Sequence, residues 1–453
     1  MKLSGLAADR NLVIVCGLVA STQMSWGVVV PVLPLYAQDF GASDAELGLI
    51  ISLFGLGRLL VNLPAGRLAE RLDQRRLLLG SVLATVLCMF GTGLVTNLHQ
   101  LFVLRFVTGL AGGFAITVGN AFVASSSKAE TRGASMGLLH SFQLAGGAIG
   151  PSFGGLVVSV WGMRAAFWCS GLVAVVFLGW GVVRLASRQA HLDTLVDSAR
   201  LDVAPAPRLA TNDLLERPTR GEWLLRDPSF LAVCVVGFVV FFGRFGGQQF
   251  LVPILAYDTG MSVGQLGLAL GAVTTVNILM VGFAVRLGDR VGRKAVISVS
   301  VTLAATLSLG YIWADQAIVL LALLFVIGMI NSFSGPAPVA YLADVSPPAR
   351  YGSAVGFYRT FGDMAALLGP ITLGWLLDRF GMPPTVVVLA AVGTAGGLWF
   401  AVFAQAHDFG VEHAPPVEPV EPVEPVEPVE PVEPVEPKRA NALRTDHDIG
   451  LVR

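Results

Sequence analysis

The sequence has little charge and few cysteines, and each shortage removes a class of protein from consideration. Charged residues make up 13% of the 453 residues, whereas a soluble domain carries about 25%. The four cysteines all lie in apolar runs and share no disulfide or metal-ligand spacing. The composition therefore disfavours a soluble globular fold and excludes a disulfide scaffold.

Catalytic signatures are also missing. The chain has no Gly-x4-Gly-Lys-Ser/Thr nucleotide loop, no His or Cys cluster with metal spacing, and no nucleophile elbow. No basic patch with interleaved aromatic residues lies outside the loops that flank the apolar runs, so nucleic acid is not an expected partner. The sequence predicts a protein that is not an enzyme and that carries no cofactor or metal.

Long apolar segments are abundant instead. Hydrophobic residues make up 54% of the chain, and its 52 glycines suit close packing of spanning helices. A spanning helix needs about 20 apolar residues. Twelve segments meet this length, at residues 11–36, 45–66, 77–95, 100–125, 134–158, 164–186, 229–256, 263–285, 295–313, 317–342, 353–377 and 384–404. The first is too long for a signal peptide and should remain as a span.

The chain also repeats itself at a constant offset. Residues 131–164 return at 350–383, so that Gly155, for example, matches Gly374. Six of the twelve apolar segments precede the midpoint and six follow it. Duplicated bundles of this kind occur in transporters, whose substrate site lies between the repeats.

We therefore predict an all-α membrane protein with twelve transmembrane helices in two pseudo-symmetric six-helix bundles. The bundles cover residues 1–186 and 228–404. A mixed-charge linker, 187–227, joins them. The tail, 405–453, should be disordered, because its seven Val-Glu-Pro triplets favour an extended rod. We interpret the tail as a spacer, with partner docking as the alternative.

Lys and Arg are distributed unevenly between the two sets of loops. One side has Lys2, Arg10, Arg67, Arg71, Arg75, Arg76, Lys128, Arg132, Arg286, Arg290, Arg293, Lys294 and Arg350, and the other has Arg164 and Arg379. Positive residues favour the cytoplasmic side. Both termini are therefore predicted to be cytoplasmic.

Several local motifs lie in matching places of the two halves. After span 2 the chain reads Gly66-Arg-Leu-Ala-Glu70-Arg71-Leu-Asp73-Gln-Arg75-Arg76, and after span 8 it reads Arg286-Leu-Gly-Asp289-Arg290-Val-Gly292-Arg293-Lys294. Span 5 contains Gly146-x-x-x-Gly150-Pro151-x-x-Gly154-Gly155, with Gly369-Pro370 as its partial copy in span 11. Spans 1 and 4 contain Gly27-x-x-x-Pro31-x-x-Pro34 and Arg105-x-x-Thr108-Gly109.

These motifs resemble the major facilitator superfamily, and more narrowly its twelve-span drug:proton antiporter branch. The resemblance covers about residues 11–404. The sequence departs from the family pattern at Glu70 and Asp73, where Asp and Gly are expected, at Val285, where the second copy lacks its first Gly, and at Thr108, which replaces Gln.

The resemblance implies proton-coupled efflux of a small organic compound by alternating access, in a monomer of the bacterial-type inner membrane. The substrate site would lie between spans 1, 4, 5, 7, 8, 10 and 11. Two alternatives stay open: uptake by proton symport, and a transporter-like sensor that moves nothing. The full span 5 motif favours export over uptake.

Carboxylates among the arginines of the two loops suggest a gate on the basic side. Glu70 could cap the start of span 11 and Asp289 the start of span 5, because a helix N-terminus attracts negative charge. The alternative is that these loop charges only follow the positive-inside rule and form no gate. The predicted gate comprises Gly66, Glu70, Arg71, Asp289, Arg290, Gly292 and Arg293.

Ionisable residues within spans are costly and are seldom retained without use. Asp363 is the one acidic residue that we place deep in a span, and Arg359 lies one turn away, so the two should pair. His140 occupies the position of Arg359 in the first repeat. We predict that Asp363, Arg359, His140 and Arg105 couple protons to transport. A permanent structural salt bridge is the alternative.

Polar and aromatic side chains in the central spans are candidate cavity residues. The set comprises Gln23, Trp26, Arg58, Phe142, Gln143, Arg244, Gln248, Asn277 and Phe361. Arginines outnumber carboxylates among these groups, which leaves room for anionic or zwitterionic substrates.

Overall fold

The computed structural model describes residues 10–127, 131–185, 227–346 and 351–405, and these ranges are almost wholly helical. Their helices belong to one compact unit of the chain, Met1–Asp408. Most of the predicted linker and tail, including the Val-Glu-Pro triplets, lies outside the described residues.

Six helices form the first half. They are α1 (Arg10–Gln38), α2 (Asp44–Arg71), α3 (Gln74–Gly93), α4 (Leu98–Ser126), α5 (Arg132–Trp161) and α6 (Met163–Arg184). Helix α2 bends by 41° between its segments Asp44–Asn62 and Pro64–Arg71. Pro64 explains the bend, because proline removes one backbone hydrogen bond and its ring crowds the preceding turn.

Six spans follow in the second half. They are α7 (Pro228–Asp258), α8 (Val263–Val291), α9 (Arg293–Trp313), α10 (Ala317–Val345), α11 (Tyr351–Phe380) and α12 (Met382–Phe403). Among the described residues, eleven helices are long and apolar enough to cross a membrane, and the bent α2 makes twelve. The predicted all-α, twelve-helix architecture is confirmed.

The sequence repeat reappears in the backbone. Ser43 caps α2 and Ser262 caps α8, each with the same reciprocal capping box. Gly162 and Gly381 end α5 and α11 with φ of 82° and 76°, a left-handed conformation that favours glycine. Matching helices of the two halves therefore begin and end with the same capping residues and backbone conformations.

Helix α7 is irregular, which the sequence did not predict. Its middle, Gly243–Leu251, is a π-helix between the α-helical parts Pro228–Phe242 and Val252–Asp258. Three glycines lie in this segment and offer little side-chain packing to hold the tighter α-helical turn. A π-helical turn inside an α-helix often marks a functional site.

The two halves meet through helix pairs that obey the repeat. Gly48 of α2 lies against the backbone of Pro370 in α11, and its counterpart Gly267 of α8 lies against Pro151 in α5. Hydrogen bonds support both crossings. Ser52 Oγ accepts from the Ile371 N–H at 3.0 Å, and Ser152 Oγ donates to a carbonyl of α8 at 3.3 Å. Glycine allows these backbones to touch.

These contacts concentrate on one side of the molecule. We call the side with the α2–α3 and α8–α9 loops the basic face, and the opposite side the far face. At the far face Asp378 accepts hydrogen bonds from the backbone N–H groups of Asp44 and Ala45, at 3.1 and 3.0 Å. Tyr257 also donates to the Pro31 carbonyl. The far face is closed.

Towards the basic face the halves separate. A side chain added at Gly133, Gly137 or Gly356 would meet nothing within 4 Å. The separation leaves a space between the halves that is open towards the basic face.

Candidate functional site

A cavity of about 220 Å³ lies between the two halves. It is lined by residues of α1, α2, α4, α5, α7, α8 and α11. Of the seven spans expected to line the site, six do so, α10 does not, and α2 replaces it. Helix α2 reaches the wall through its segment Asp44–Asn62, which packs against α11 and carries Arg58 and Asn62.

Most of the predicted functional side chains reach this cavity. Those on its wall are Gln23, Trp26, Arg58, His140, Gln143, Arg244, Gln248, Arg359 and Asp363. Three predicted liners are placed elsewhere. Phe142 packs in the apolar cluster of the first half and Phe361 in one of the second. Asn277 accepts a hydrogen bond of 2.8 Å from the hydroxyl of Ser332 in α10.

Asp363 is held by α2. Its carboxylate lies 3.2 Å from the Arg58 guanidinium and accepts a hydrogen bond of 2.5 Å from the Asn62 amide. The side chain is only 3% exposed. The sequence predicts Arg359, one turn away, as the partner. The structure instead gives Asp363 a cation from the other half, because α2 and α11 cross at this level.

Arg244 and Trp26 form a second contact across the cavity. The guanidinium of Arg244 lies 5.6 Å from the centroid of the Trp26 ring, within the range of a cation–π interaction. Trp26 also packs against Phe245 and Phe54, with ring centroids 6.0 and 6.4 Å apart. The aromatic side chains of α1, α2 and α7 thus support one guanidinium plane.

Several polar residues that were not predicted also line the cavity, namely Asn62, Thr117, Gln249, Thr274 and Tyr358. Asn62 follows Arg58 by one helical turn, and that spacing could have revealed it. Gln249 could not have been found in this way. An α-helix would separate Gln248 and Gln249 by about 100°, whereas both line the cavity from the π-helix.

Arg105 is not among the cavity-lining residues. It is 3% exposed, and its guanidinium lies 5.1 Å from the centroid of the Phe54 ring. Its Nε and Nη1 have no hydrogen-bond partner among the described residues. The position fits support of the aromatic wall better than contact with a transported molecule.

The glycines of α5 provide close packing on two sides. Gly146, Gly150 and Gly154 lie against the backbone of α1, and Gly155 lies against α8. A side chain at any of these four positions would collide with main-chain atoms. Gly369, in the partial copy on α11, has more space, and its nearest neighbours are Gly246 and Phe242 of α7. Pro151 itself lines the cavity.

Part of the predicted gate lies beside residues that the structure does not describe, so the gate stays a prediction. Among the described residues, Asp289 lies 3.5 Å from Arg293. Arg293 also contacts both oxygens of Asp344, at 2.6 and 2.7 Å. Glu70 is exposed. Gly66, Arg71 and Arg290 lie at the same face, and Gly292 ends α8 with a φ of 98°.

Among the residues that the structure describes, no group of three or more His, Cys, Asp or Glu side chains could hold a metal ion. The chemistry available at the cavity is therefore that of charge pairing, hydrogen bonding and aromatic contact.

Comparison with known proteins agrees with this architecture. The family model of the Major Facilitator Superfamily matches residues 15–248 and, a second time, residues 233–446. The two matches correspond to the two repeats.

Curated relatives align along most of the chain. The multidrug resistance protein MdtG of Klebsiella pneumoniae is 23% identical over 380 residues, which is 82% of this chain and 88% of MdtG. The multi-drug resistance efflux pump PmrA of Streptococcus pneumoniae is 24% identical over 370 residues, 80% of this chain and 87% of PmrA. An uncharacterized MFS-type transporter of Methanocaldococcus jannaschii is 20% identical over 380 residues, 83% of this chain and 93% of that protein.

Solved structures share the fold. A D-xylose-proton symporter superposes with a TM-score of 0.68 at 17% identity, covering 87% of this chain and 98% of its own. The nucleoside transporter NupG gives a TM-score of 0.66 at 13% identity, covering 87% of this chain and all of its own. Identities this low establish the fold alone. With the family model matched twice and the fold shared, this multi-pass membrane protein belongs to the major facilitator superfamily of transporters.

Proposed function

We propose that this protein exports a small organic compound in exchange for protons, with Asp363 as the proton carrier. The observation that carries the proposal is the position of Asp363. It is the one carboxylate on the wall of the described cavity, and it joins α11 to α2 through Arg58 and Asn62. A titratable group that bridges the halves at the substrate cavity can link protonation to conformation.

Protonation would act on that bridge directly. A charged Asp363 holds Arg58, which ties the two halves together beside the cavity. A proton on the carboxylate removes the charge, and Arg58 loses its ionic partner. The α2–α11 crossing then depends on its glycine contacts, on the hydrogen bonds that Ser52 and Asp378 accept, and on one hydrogen bond from Asn62. Substrate and proton would alternate at this carboxylate.

The direction of transport is inferred from the relatives. PmrA is named an efflux pump and MdtG a multidrug resistance protein. The uninterrupted glycine motif of α5, which packs against α1 and α8, is the sequence feature that favours export. Uptake by symport is the second candidate, because the excess of arginines over carboxylates around the cavity would suit an anion that enters together with a proton.

We place the basic face and both termini in the cytoplasm of a cell whose cytoplasmic membrane holds the protein as a monomer. The excess of Lys and Arg on that face supports the orientation. The described conformation, open towards the basic face, is then the inward-open state. Glu70 and Asp289 would cap α11 and α5 only when that face closes.

A flux measurement tests the proposal. Purified protein in liposomes receives an imposed pH gradient, and a pH-sensitive dye reports proton movement on addition of cationic, zwitterionic, anionic and neutral compounds. We expect substrate-dependent proton counterflow in the wild type and its loss in Asp363→Asn.

Asp315→Asn is the matched control, because Asp315 is an exposed carboxylate in the α9–α10 loop. It should behave as the wild type. Retention of full coupled transport by Asp363→Asn would overturn the carrier role. Proton movement in the same direction as the substrate would favour symport. Binding without flux of any compound would favour a sensor.

A further inference from the structure

The charges around the cavity do not balance. Arg58, Arg244 and Arg359 lie on its wall together with His140, and Asp363 is the one carboxylate there. Asp363 pairs with Arg58, which leaves the positive charge of Arg244 without a carboxylate on the described wall. Excess charge within a membrane protein is costly without a counter-charge. The cavity therefore favours a ligand that brings a negative group.

Arg244 is the cation best placed to receive it. Arg58 is neutralised by Asp363, whereas Arg244 has no carboxylate partner within the described part of the chain. The guanidinium carbon of Arg244 lies 5.6 Å from the centroid of the Trp26 ring, and this contact restrains the side chain at the cavity wall. A guanidinium group can form two parallel hydrogen bonds to a carboxylate or a similar anion.

Binding of a purely anionic ligand would favour proton binding, whereas exchange requires the ligand and the proton to exclude each other. An anion near Asp363 favours the protonated carboxyl, so anion and proton would bind together and travel together. Exchange requires a ligand group that competes with the proton. Only a cation at Asp363 does so, since the carboxylate can hold either the proton or the cation.

Both requirements meet in one kind of molecule. We infer that the cavity binds an amphoteric compound, with its amine at Asp363 and its anionic group at Arg244. This inference rests on the proposed proton exchange. Trp26, Phe241 and Phe245 line the space between, and they suit an aromatic or apolar body. On binding, the amine displaces Arg58 from Asp363, and Arg58 joins Arg244 around the anionic group. The volume of about 220 Å³ limits the compound to a small molecule.

A set of four para-substituted benzene probes isolates each charge. 4-(Aminomethyl)benzoate carries both groups, 4-methylbenzylamine only the amine, 4-methylbenzoate only the carboxylate, and para-xylene neither. Binding to detergent-purified protein is measured at neutral pH by isothermal titration, without any gradient. We expect the amphoteric probe to bind at least about 10-fold more tightly than either singly charged probe, as one additional charge-assisted hydrogen-bonded contact provides.

Two variants assign the charges to residues. Arg244→Gln should abolish the advantage of 4-(aminomethyl)benzoate over 4-methylbenzylamine. Asp363→Asn should abolish its advantage over 4-methylbenzoate. Arg184→Gln, at the exposed end of α6, should retain the order of the wild type.

The outcomes are decisive in either direction. An amphoteric probe that binds no more tightly than the singly charged probes, including no binding by any of the four, overturns the inference. So does an advantage that survives in both cavity variants. Because these measurements involve no flux, a failure of proton exchange in liposomes would leave the binding order unchanged and would be recognised separately.

Discussion

At the scale of single residues, the two repeats differ where α2 crosses α11 and where α5 crosses α8. The α2–α11 crossing contains Arg58 and Asp363. The equivalent positions at the α5–α8 crossing are Asn277 and Leu144, by the same offset that relates Gly155 to Gly374. One crossing therefore carries an ion pair, and the other carries only neutral side chains. The duplication thus produced two similar helix crossings, and one of them contains a carboxylate paired with an arginine.

The ion pair makes a prediction about stability. Arg58→Gln leaves the Asp363 carboxylate buried without its cation, and removal of one partner of a buried pair costs about 3 kcal/mol. The double variant Arg58→Gln/Asp363→Asn should recover most of that loss, because it removes both charges. Chemical unfolding of the four proteins in detergent measures the free energies.

Arg76→Gln is the control for this cycle. Arg76 lies 3.7 Å from Asp73, but its side chain is 90% exposed, so its loss should leave the stability nearly unchanged. Additive losses in the double variant would show that Arg58 and Asp363 act independently.

The sequence identified Asp363 but assigned it the wrong partner. Periodicity along one helix shows that Arg359 can reach Asp363, whereas the partner from α2 depends on how two distant helices cross. The cavity set shows the same limit. Residue type identified Trp26, His140 and Arg244 correctly. It also led to Phe142 and Phe361, which pack against the apolar clusters of their own halves. A helix that is apolar on all sides has no polar face, so its sequence does not reveal which side chains face the cavity.

At the scale of elements, the loops on the basic face show how the two repeats diverged. Arg293 at the start of α9 binds Asp344 at the end of α10. At the equivalent place Gln74, at the start of α3, accepts a hydrogen bond of 3.0 Å from Ser125 near the end of α4. The contact between these two helices is therefore an ion pair in the second half and a neutral hydrogen bond in the first.

The departure at Asp73 has a local explanation. Its counterpart Gly292 has a φ of 98°, whereas Asp73 has an ordinary φ of −63° and caps α3 by accepting from the Arg75 N–H. The first loop therefore turns without a left-handed residue. Aspartate is a preferred helix cap, so this substitution preserves the helix start.

The far face contains an element-scale contact that makes a second prediction. Asp378 at the end of α11 caps the N-terminus of α2 through two backbone N–H groups. Loss of such a cap costs about 1 kcal/mol. Asp378→Ala should therefore shift the ratio of far-face-open to far-face-closed molecules by about 5-fold.

Leu94 and Asp315 are exposed on far-face loops of the two halves. Spin labels at these two positions should show an additional, longer label-to-label distance when the far face opens. Asp39→Ala, which removes another exposed far-face carboxylate, is the control. An unchanged distance distribution in Asp378→Ala would show that the cap does not hold the face closed.

At the scale of the whole molecule, the described state is closed at the far face and open at the basic face. Alternating access requires the far face to open in turn, which must separate α5 from α8. A Cβ placed on Gly264 would lie 3.7 Å from the Cβ of Ser159, within the usual spacing of a disulfide.

The variant Ser159→Cys/Gly264→Cys should therefore form a cross-link on oxidation and stop transport, and reductant should restore it. Each single substitution is the control, because neither can form this bond and the native cysteines lie elsewhere. Transport at the full rate by the oxidised double variant would contradict alternating access through this face.

The fold could be predicted from the sequence because it depends on patterns that are local or repeated. Twelve apolar segments, loop glycines and a constant offset fix the helices and their duplication. Two features were beyond it. The π-helix of α7 lies in a glycine-rich segment that hydropathy does not distinguish from an α-helix. The place of α2 on the cavity wall depends on how α2 crosses α11. Both features change which side chains meet, although neither changes the number of spans.

The single carboxylate of the cavity wall also limits the free energy that is available to each transport cycle. If Asp363 carries one proton for each amphoteric molecule, a proton-motive force of about 100 mV supplies about 2.3 kcal/mol per cycle. That energy sustains a concentration ratio of about 50 across the membrane. A higher ratio at the same driving force needs a second proton per cycle. His140 is the remaining side chain on the wall that ordinarily titrates near neutral pH.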